Sequence, residues 1–242
     1  MTHRHVPLDG TFNLRDVGGY PAGTGETRWR KLYRSDSLHA LSPADISELA
    51  ARGVALIIDL RDDEERAGFP SVLGSLGARV EHNPVFATPA SQFIAADATL
   101  ADLYDDVIEN SGDRLASAVR HIATSGDAPV LVHCTAGKDR TGLVVALALL
   151  AAGVDRASVI ADYAQTQAHL PPELLDAIVQ RLRAERVPNS VNLDELIRLS
   201  PAVALERTLS RVEVSHGSVA DFLKLHGVTA DELEELRRVL VG

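Results

Sequence analysis

Apolar and polar positions change period several times along the chain, and each change marks an element. VALIIDL, Val54 to Leu60, is a compact β-branched run, the pattern of a strand buried on both faces. ARVEHNPV, Ala78 to Val85, carries a weaker strand pattern, and PVLVH, Pro129 to His133, a further strand. SPADISELAARG reads as a helix with Ser42 as N-cap, Pro43 in the first turn and Gly53 as the stop. TFNLRDVGGYPAGTG, dense in turn residues, predicts a short extended piece, a turn and a short strand over Trp29–Tyr33. After Phe86 the pattern is mainly helical, interrupted at Ser111-Gly112 and ending near Ser125-Gly126. Arg140–Ala152 is a helix, and helices broken by Gly153, Pro171-Pro172, Pro188, Pro201, Gly217 and Gly227 fill the remainder. The last, TADELEELRRVLVG, is amphipathic with Thr229 as N-cap.

Strands separated by helices imply an α/β fold, a central parallel or mixed sheet covered on both faces. No repeat, low-complexity tract or linker divides the chain, so residues 1–242 read as one domain with a helix-rich C-terminal part, about 155–242. Apolar residues make up 45% and charged residues 24%, an ordinary globular balance. The net charge of −10 argues against a broad nucleic-acid-binding face and leaves room for a small positive pocket. The longest apolar stretch, Leu143 to Val154, is too short to span a bilayer, and MTHRHVPLDG lacks the apolar core of a secretory signal. The expectation is a cytoplasmic protein without stable membrane insertion; the sequence is silent on oligomeric state.

Cys134 is the only cysteine, so neither an internal disulfide nor a cysteine metal cluster is available. It stands where the Pro129–His133 strand gives way to Thr135-Ala136-Gly137-Lys138-Asp139 and then to a helix. Carboxyl edges of α/β sheets are where ligands bind. Small residues and glycine let successive backbone N–H groups turn inward as an anion nest, and the helix N-terminus adds partial positive charge. Lys138, Arg140 and that nest favour the thiolate, the nucleophilic form of cysteine. Arg140 brings a planar fork that grips two phosphate oxygens, and Thr141 offers the sulfur a hydrogen bond. A nucleotide-binding Gly-Lys loop is excluded, because the earlier glycine and the following Ser/Thr are absent.

His133-Cys134 followed by Arg140 at the seventh position of the loop resembles the signature of cysteine-dependent phosphatases. HCTAGKDRTG, with FNLRDVGGY, LYRSDSL and IIDLRDDEE in the same order, is similar to the atypical bacterial protein tyrosine phosphatase family, in its mycobacterial B subgroup. The resemblance implies a protein-tyrosine-phosphatase-like domain over the whole chain and a hydrolase of dual specificity that needs no metal or other cofactor. It implies that Cys134 attacks phosphorus and forms a phosphocysteine, that Arg140 and the amides of Thr135, Ala136 and Gly137 bind the phosphoryl oxygens, and that His133 orients the loop. Lys138 and Asp139 belong to a Gly-Lys-Asp-Arg variant whose relatives accept phosphoinositides as well as phosphoproteins. Expected partners are a phosphorylated protein, a phosphoinositide or a small phosphorylated metabolite, and no nucleic acid.

Phosphomonoester cleavage needs a proton for the leaving oxygen. Where the family places a carboxylate after a Pro-Phe turn, this chain reads NPVFATPASQ, with none. Asp139, inside the loop, is the first choice of acid; Asp97, Asp102 and Asp105 are lesser candidates. Asp16 and Asp59 read as structural, holding Arg15, Arg61 or the loop. DDEE, Asp62 to Glu65, reads as a solvated helix start, with Glu64 at a recurring acidic position of the family. Two rivals stand beside the enzyme: a catalytically weak phosphate-binding module and, behind it, a sulfurtransferase carrying a persulfide on Cys134. Arsenate reduction is disfavoured, because no second thiol can resolve the intermediate.

Overall fold

The computed structural model describes residues 4–88, 90–185 and 191–242. The N-terminal segment holds β1 (Arg15–Asp16), β2 (Pro21–Ala22), β3 (Gly25–Glu26) and β4 (Leu32–Ser35). Then follow α1 (Pro43–Ala51), β5 (Leu56–Asp59), α2 (Asp63–Gly68), β6 (Arg79–His82), α3 (Ala90–Ala95), α4 (Leu100–Asn110), α5 (Gly112–Ala123) and β7 (Val130–His133). The rest is helical: α6 (Asp139–Ala152), α7 (Arg156–His169), α8 (Pro172–Glu185), α9 (Leu193–Arg198), α10 (Ala202–His216), α11 (Val219–Leu225) and α12 (Ala230–Leu240). The α/β fold expected from the alternation is thus the one found. Pro188 lies outside the described residues.

Five strands form the sheet in the order β1-β4-β7-β5-β6, with β4, β7, β5 and β6 parallel and β1 antiparallel at one edge. The apolar runs Val54–Leu60 and Pro129–His133 form β5 and β7, which with β4 are buried throughout, whereas the weaker β6 is largely exposed at the other edge. Side chains alternate between faces with period two. Leu32, Leu56, Ile58, Val130 and Val132 join the larger core, formed with α4, α5, α6 and α12. Tyr33, Ile57 and Leu131 point the opposite way, into a second cluster with Leu38 and Leu49 beneath α1. The strand predicted over Trp29–Tyr33 lies further along, because Trp29 packs its ring over Gly18 and Gly19 instead of pairing.

The N-cap signals act as read. Ser42 and Thr229 close reciprocal capping boxes with Asp45 and Glu232. Register then sets the site: Ser35, His133, Asp59 and His82 are aligned neighbours at the carboxyl ends of the four parallel strands. The residues that follow each strand therefore converge on one edge. No helix among the described residues is long and apolar enough to cross a membrane.

Candidate active site

Cys134 leaves β7 and α6 begins at Asp139, so the predicted loop spans the carboxyl edge of the sheet. Its bend needs Gly137, whose φ is +66° and where a Cβ would lie 2.5 Å from the Ser35 carbonyl oxygen. Donors outside the loop bind its carbonyls. Ser37 N–H donates to Thr135 O (3.0 Å), Asn13 Nδ2 to Ala136 O and Gly137 O (3.1 Å each), and Arg34 Nη2 to Gly137 O (2.9 Å). A trans peptide points its N–H opposite its C=O, so these outward carbonyls turn the next amides inward.

Arg34 is held by a buried carboxylate. Asp162 of α7 accepts from Arg34 Nη1 (2.5 Å), Arg15 Nε (3.0 Å) and the Tyr20 hydroxyl (3.1 Å). Burial alone would raise the Asp162 carboxyl, but Arg15 and Arg34 hold it far below the usual carboxylate range. Arg15 also reaches Asn13 Oδ1 and Asp162 O, binding the network to the segment just before β1 that carries Asn13.

His133 is fully buried behind the cysteine. Its Nδ1 lies 3.2 Å from Cys134 O, and its Nε2 lies 3.7 Å from Asp59 Oδ2 and has no hydrogen-bond partner. Burial pushes the imidazole down to about 4, which leaves the ring neutral at pH 7. Asp59 in turn accepts from Arg61 Nε (2.9 Å) and Nη2 (2.7 Å), the structural role expected of it. Asp16 is structural too, but it caps the N–H groups of Gly18 and Arg30 and holds neither Arg15 nor Arg61.

Arg140 meets a carboxylate the sequence reading passed over. Its Nη1 and Nη2 donate to Glu65 Oε2 (2.5 Å) and Oε1 (2.7 Å), and Thr135 Oγ1 donates to the same Oε1 (2.5 Å). Burial works against both charges. Hydrogen bonding to the partner outweighs it, lowering Glu65 to about 2 and raising Arg140 above its ordinary value. The Phe86 ring covers the guanidinium, 4.4 Å from its centroid. DDEE is thus more than a solvated helix start, since Glu65 reaches the arginine after the loop. Asp62 is the N-cap of α2, and Glu65, at its third position, folds back to the Asp62 N–H and toward the loop. That Asp-x-x-Glu capping box, just after a strand ending beside β7, was the legible signal.

Lys138 reaches toward α9. Its ammonium is buried and donates to Leu196 O (2.7 Å) and Leu199 O (2.9 Å) at the end of α9, with Asp139 Oδ1 3.3 Å away. The lone carbonyls of a helix C-terminus draw a cation, so this ammonium is tied to α9. Asp139 Oδ1 also accepts from the Tyr104 hydroxyl (2.9 Å), itself 2.6 Å from the Tyr163 hydroxyl. The lesser acid candidates are committed elsewhere. Asp97 Oδ1 accepts from Asn192 N–H, Asp102 caps α4 through Thr99, and Asp105 pairs with Arg207 and Arg211.

A pocket of about 180 Å³ opens over the loop. Cys134, Thr135, Ala136, Asp139, Arg140 and Glu65 line it, beneath apolar walls from Phe86, Phe93, Ile94, Leu103, Leu196 and Ile197. Of the other predicted residues, His133 lies behind the loop, Gly137 makes its bend, and the buried Thr141 hydroxyl has no hydrogen-bond partner. Phe86, Phe93 and Tyr104 went unread as site residues, since an aromatic in a helical or loop segment reads as core.

A largely parallel sheet thus presents a cysteine, the loop that follows it and an arginine at its carboxyl edge, donors of the kind that suit a phosphoryl group. The chain belongs to the tyrosine phosphatase family, whose model matches residues 6–242. It is 29% identical over 283 aligned residues, covering all of both chains, to the triple specificity protein phosphatase PtpB of Mycobacterium tuberculosis. A tyrosine-protein phosphatase of Nostoc commune is 28% identical over 212 residues, covering 84% of this chain and 72% of that one. Among solved structures, the crystal structure of P. aeruginosa TpbA covers 66% of this chain and 83% of its own, with 21% identity and a TM-score of 0.38.

Proposed function

We propose that this phosphatase cleaves aryl phosphomonoesters, phosphotyrosine first among them, through a phosphocysteine on Cys134. The observation that carries the reading is the pocket: a thiol and a guanidinium at its base and apolar side chains for walls. Phe93, Ile94, Leu196 and Ile197 suit an aromatic ring better than a multiply charged inositol head group. The inward amides and Arg140 hold the phosphoryl oxygens while the Cys134 sulfur displaces the leaving oxygen in line. The P–O bond breaks as the S–P bond forms, and Asp139 delivers the proton to the leaving oxygen. Water then attacks phosphorus, Asp139 takes its proton, and the thiolate departs from inorganic phosphate.

For Asp139, Tyr104 and Lys138 both face Oδ1, leaving Oδ2 for the leaving group. The name of the mycobacterial relative supports breadth beyond phosphotyrosine, whereas the direction of Lys138 speaks against phosphoinositides as the first substrate.

The test is a steady-state comparison in EDTA of para-nitrophenyl phosphate, phenyl phosphate and a phosphotyrosine peptide. Cys134→Ser is expected to abolish turnover of all of them. Asp139→Asn is expected to slow phenyl phosphate and the peptide by about 10²-fold or more and para-nitrophenyl phosphate far less. Equal losses on good and poor leaving groups would assign Asp139 to loop structure. Turnover that survives Cys134→Ser would end the phosphocysteine reading, and vanadate binding with no wild-type turnover would leave a phosphate-binding module.

A further inference from the structure

Asp139 presents two oxygens that the fold treats differently. Oδ1 accepts from the Tyr104 hydroxyl (2.9 Å) and lies 3.3 Å from the Lys138 ammonium, whereas no hydrogen bond reaches Oδ2 among the described residues. Tyr104 stands on the buried stripe of α4 with Leu100, Leu103, Val107 and Ile108, and its hydroxyl is the polar tip of that stripe. It is 2.6 Å from the hydroxyl of Tyr163 on α7, both residues being fully buried and their rings set edge to face. The close approach of Tyr163 depends on Gly142, about one turn past Asp139 on α6, where a Cβ would lie 2.8 Å from Tyr163 Cδ2. Neither tyrosine lines the pocket, whereas Asp139 does.

A phenol has a single proton to donate. Tyr104 gives its proton to Asp139 Oδ1, so Tyr163 gives its own to Tyr104, and the chain of donors runs one way, from Tyr163 through Tyr104 to Asp139. Burial and the Asp139 charge hold the Tyr104 phenol well above its ordinary value, and burial raises Tyr163 too, so both remain donors at neutral pH. Oδ1 serves two donors with its two lone pairs, and a proton added there would displace one of them; on Oδ2 it displaces nothing. We propose that Tyr104, aligned by Tyr163, is a positioning residue that makes Oδ2 of Asp139 the oxygen carrying the proton for the leaving group. The proposal rests on the acid role given to Asp139 above and adds to it the residues that select the oxygen. In that step the Oδ2–H bond breaks as an O–H bond forms on the departing oxygen. The carboxylate keeps the electron pair, and Oδ1 holds its bond from Tyr104 throughout.

The ratio of kcat/KM for phenyl phosphate to that for para-nitrophenyl phosphate reads the proton transfer, because the second leaving group needs little protonation. Tyr104→Phe is expected to lower that ratio about tenfold. Tyr163→Phe keeps the bond to Asp139 and removes only its alignment, so the ratio should fall about threefold. In an Asp139→Asn background, Tyr104→Phe should change the ratio no further, since the acid it serves is gone. Equal losses on both substrates in Tyr104→Phe, or an undiminished effect in the Asp139→Asn background, would overturn the proposal and reduce Tyr104 to packing. An unchanged ratio in Asp139→Asn alone defeats the acid reading itself, whereas a ratio moved by Asp139→Asn and not by Tyr104→Phe defeats only the proposal.

A second measurement needs neither tyrosine variant. In proton spectra of enzyme carrying ring-labelled tyrosine, the buried Tyr104 hydroxyl, assigned through its own ring, is expected to move upfield in Asp139→Ala, and by more than the Tyr163 hydroxyl. A Tyr104 resonance unmoved by loss of the carboxylate would sink the proposal even if Tyr104→Phe failed to fold.

Discussion

Asp162→Asn is the substitution on which the account of the loop depends most. Asp162 is 1% exposed and is the carboxylate between Arg15 and Arg34, which are equally buried. Asparagine keeps the shape and one carbonyl oxygen, so the Tyr20 hydroxyl can still find an acceptor. What disappears is the charge, and two guanidiniums are left in a water-free volume with none between them. Breaking a buried ion pair by removing one partner costs about 3–5 kcal/mol. For a chain of 242 residues, each kcal/mol moves the melting midpoint by about 2–4 °C, so the expected drop is roughly 6–20 °C.

Equilibrium urea unfolding of wild type and variant reads the first quantity, and calorimetry the second. Glu213→Gln, at the exposed pair with Arg156, is the control and should change the midpoint little. Activity should fall before the fold does. Arg34 donates both to Asp162 and to Gly137 O, so loss of the Asp162 charge is expected to loosen its hold on the loop. A variant within about 1 kcal/mol of wild type would refute the reasoning, because it would mean that water or another anion already serves the two arginines.

The remaining expectations are briefer. Gly137→Ala places a Cβ 2.5 Å from Ser35 O at a φ of +66°, so phosphate binding measured by calorimetry should fall at least tenfold; unchanged affinity would show that the loop takes another path. His133 sits at about 4 when folded and about 6.5 when unfolded. The unfolded chain therefore binds a proton that the folded chain refuses, and stability that is full above pH 6.5 falls by up to roughly 3 kcal/mol as pH drops toward 4. His133→Asn should flatten that slope in pH-dependent urea midpoints without abolishing it, since burial also lowers His169, to about 4; an unchanged slope would place the proton elsewhere. Lys138→Met removes the donor to Leu196 O and Leu199 O, so amide exchange over Leu193–Leu199 should quicken and KM for the peptide rise more than kcat falls; unaltered exchange would discount the tie between loop and α9.

Elements whose signal is local were legible before any coordinates. The apolar runs gave β5 and β7, the capping residues gave the starts of α1 and α12, and the order of strand, cysteine, glycine and helix placed the loop at a sheet edge. Short strands were harder. β1, β2 and β3 are two residues each, too short for an apolar pattern of their own: β1 is held by pairing with β4, and β2 and β3 by each other in a tight hairpin. The place of the Lys138 ammonium was hidden for a related reason. A lysine two residues before the loop arginine has the composition of a phosphate contact, and only the arrival of α9, about 60 residues later, gives its ammonium a better place.

The charges around the loop show why the rest was out of reach. Arg15 and Arg34 share Asp162, Arg61 pairs with Asp59, Arg140 with Glu65, and Lys138 stands beside Asp139. Apart from the near neighbours Asp59–Arg61 and Lys138–Asp139, these partners come from distant segments: 147 residues separate Arg15 from Asp162, and 75 separate Glu65 from Arg140. Periodicity and motif spacing report neighbours along the chain, whereas a buried charge is stable only beside its counter-charge in space. The long-range pairs therefore carry constraints that no single segment displays. This arrangement has a chemical consequence. Glu65 faces both Nη atoms of Arg140, Asp139 stands beside Lys138, and Arg15 and Arg34 are buried around Asp162, so an incoming phosphoryl group finds its attraction concentrated on the rest of the Arg140 guanidinium and on the inward amides. A locus so narrow discriminates by the position of the phosphorus over the sulfur more than by the total charge of the substrate. That is the behaviour expected of a pocket with apolar walls and an acidic protein around it.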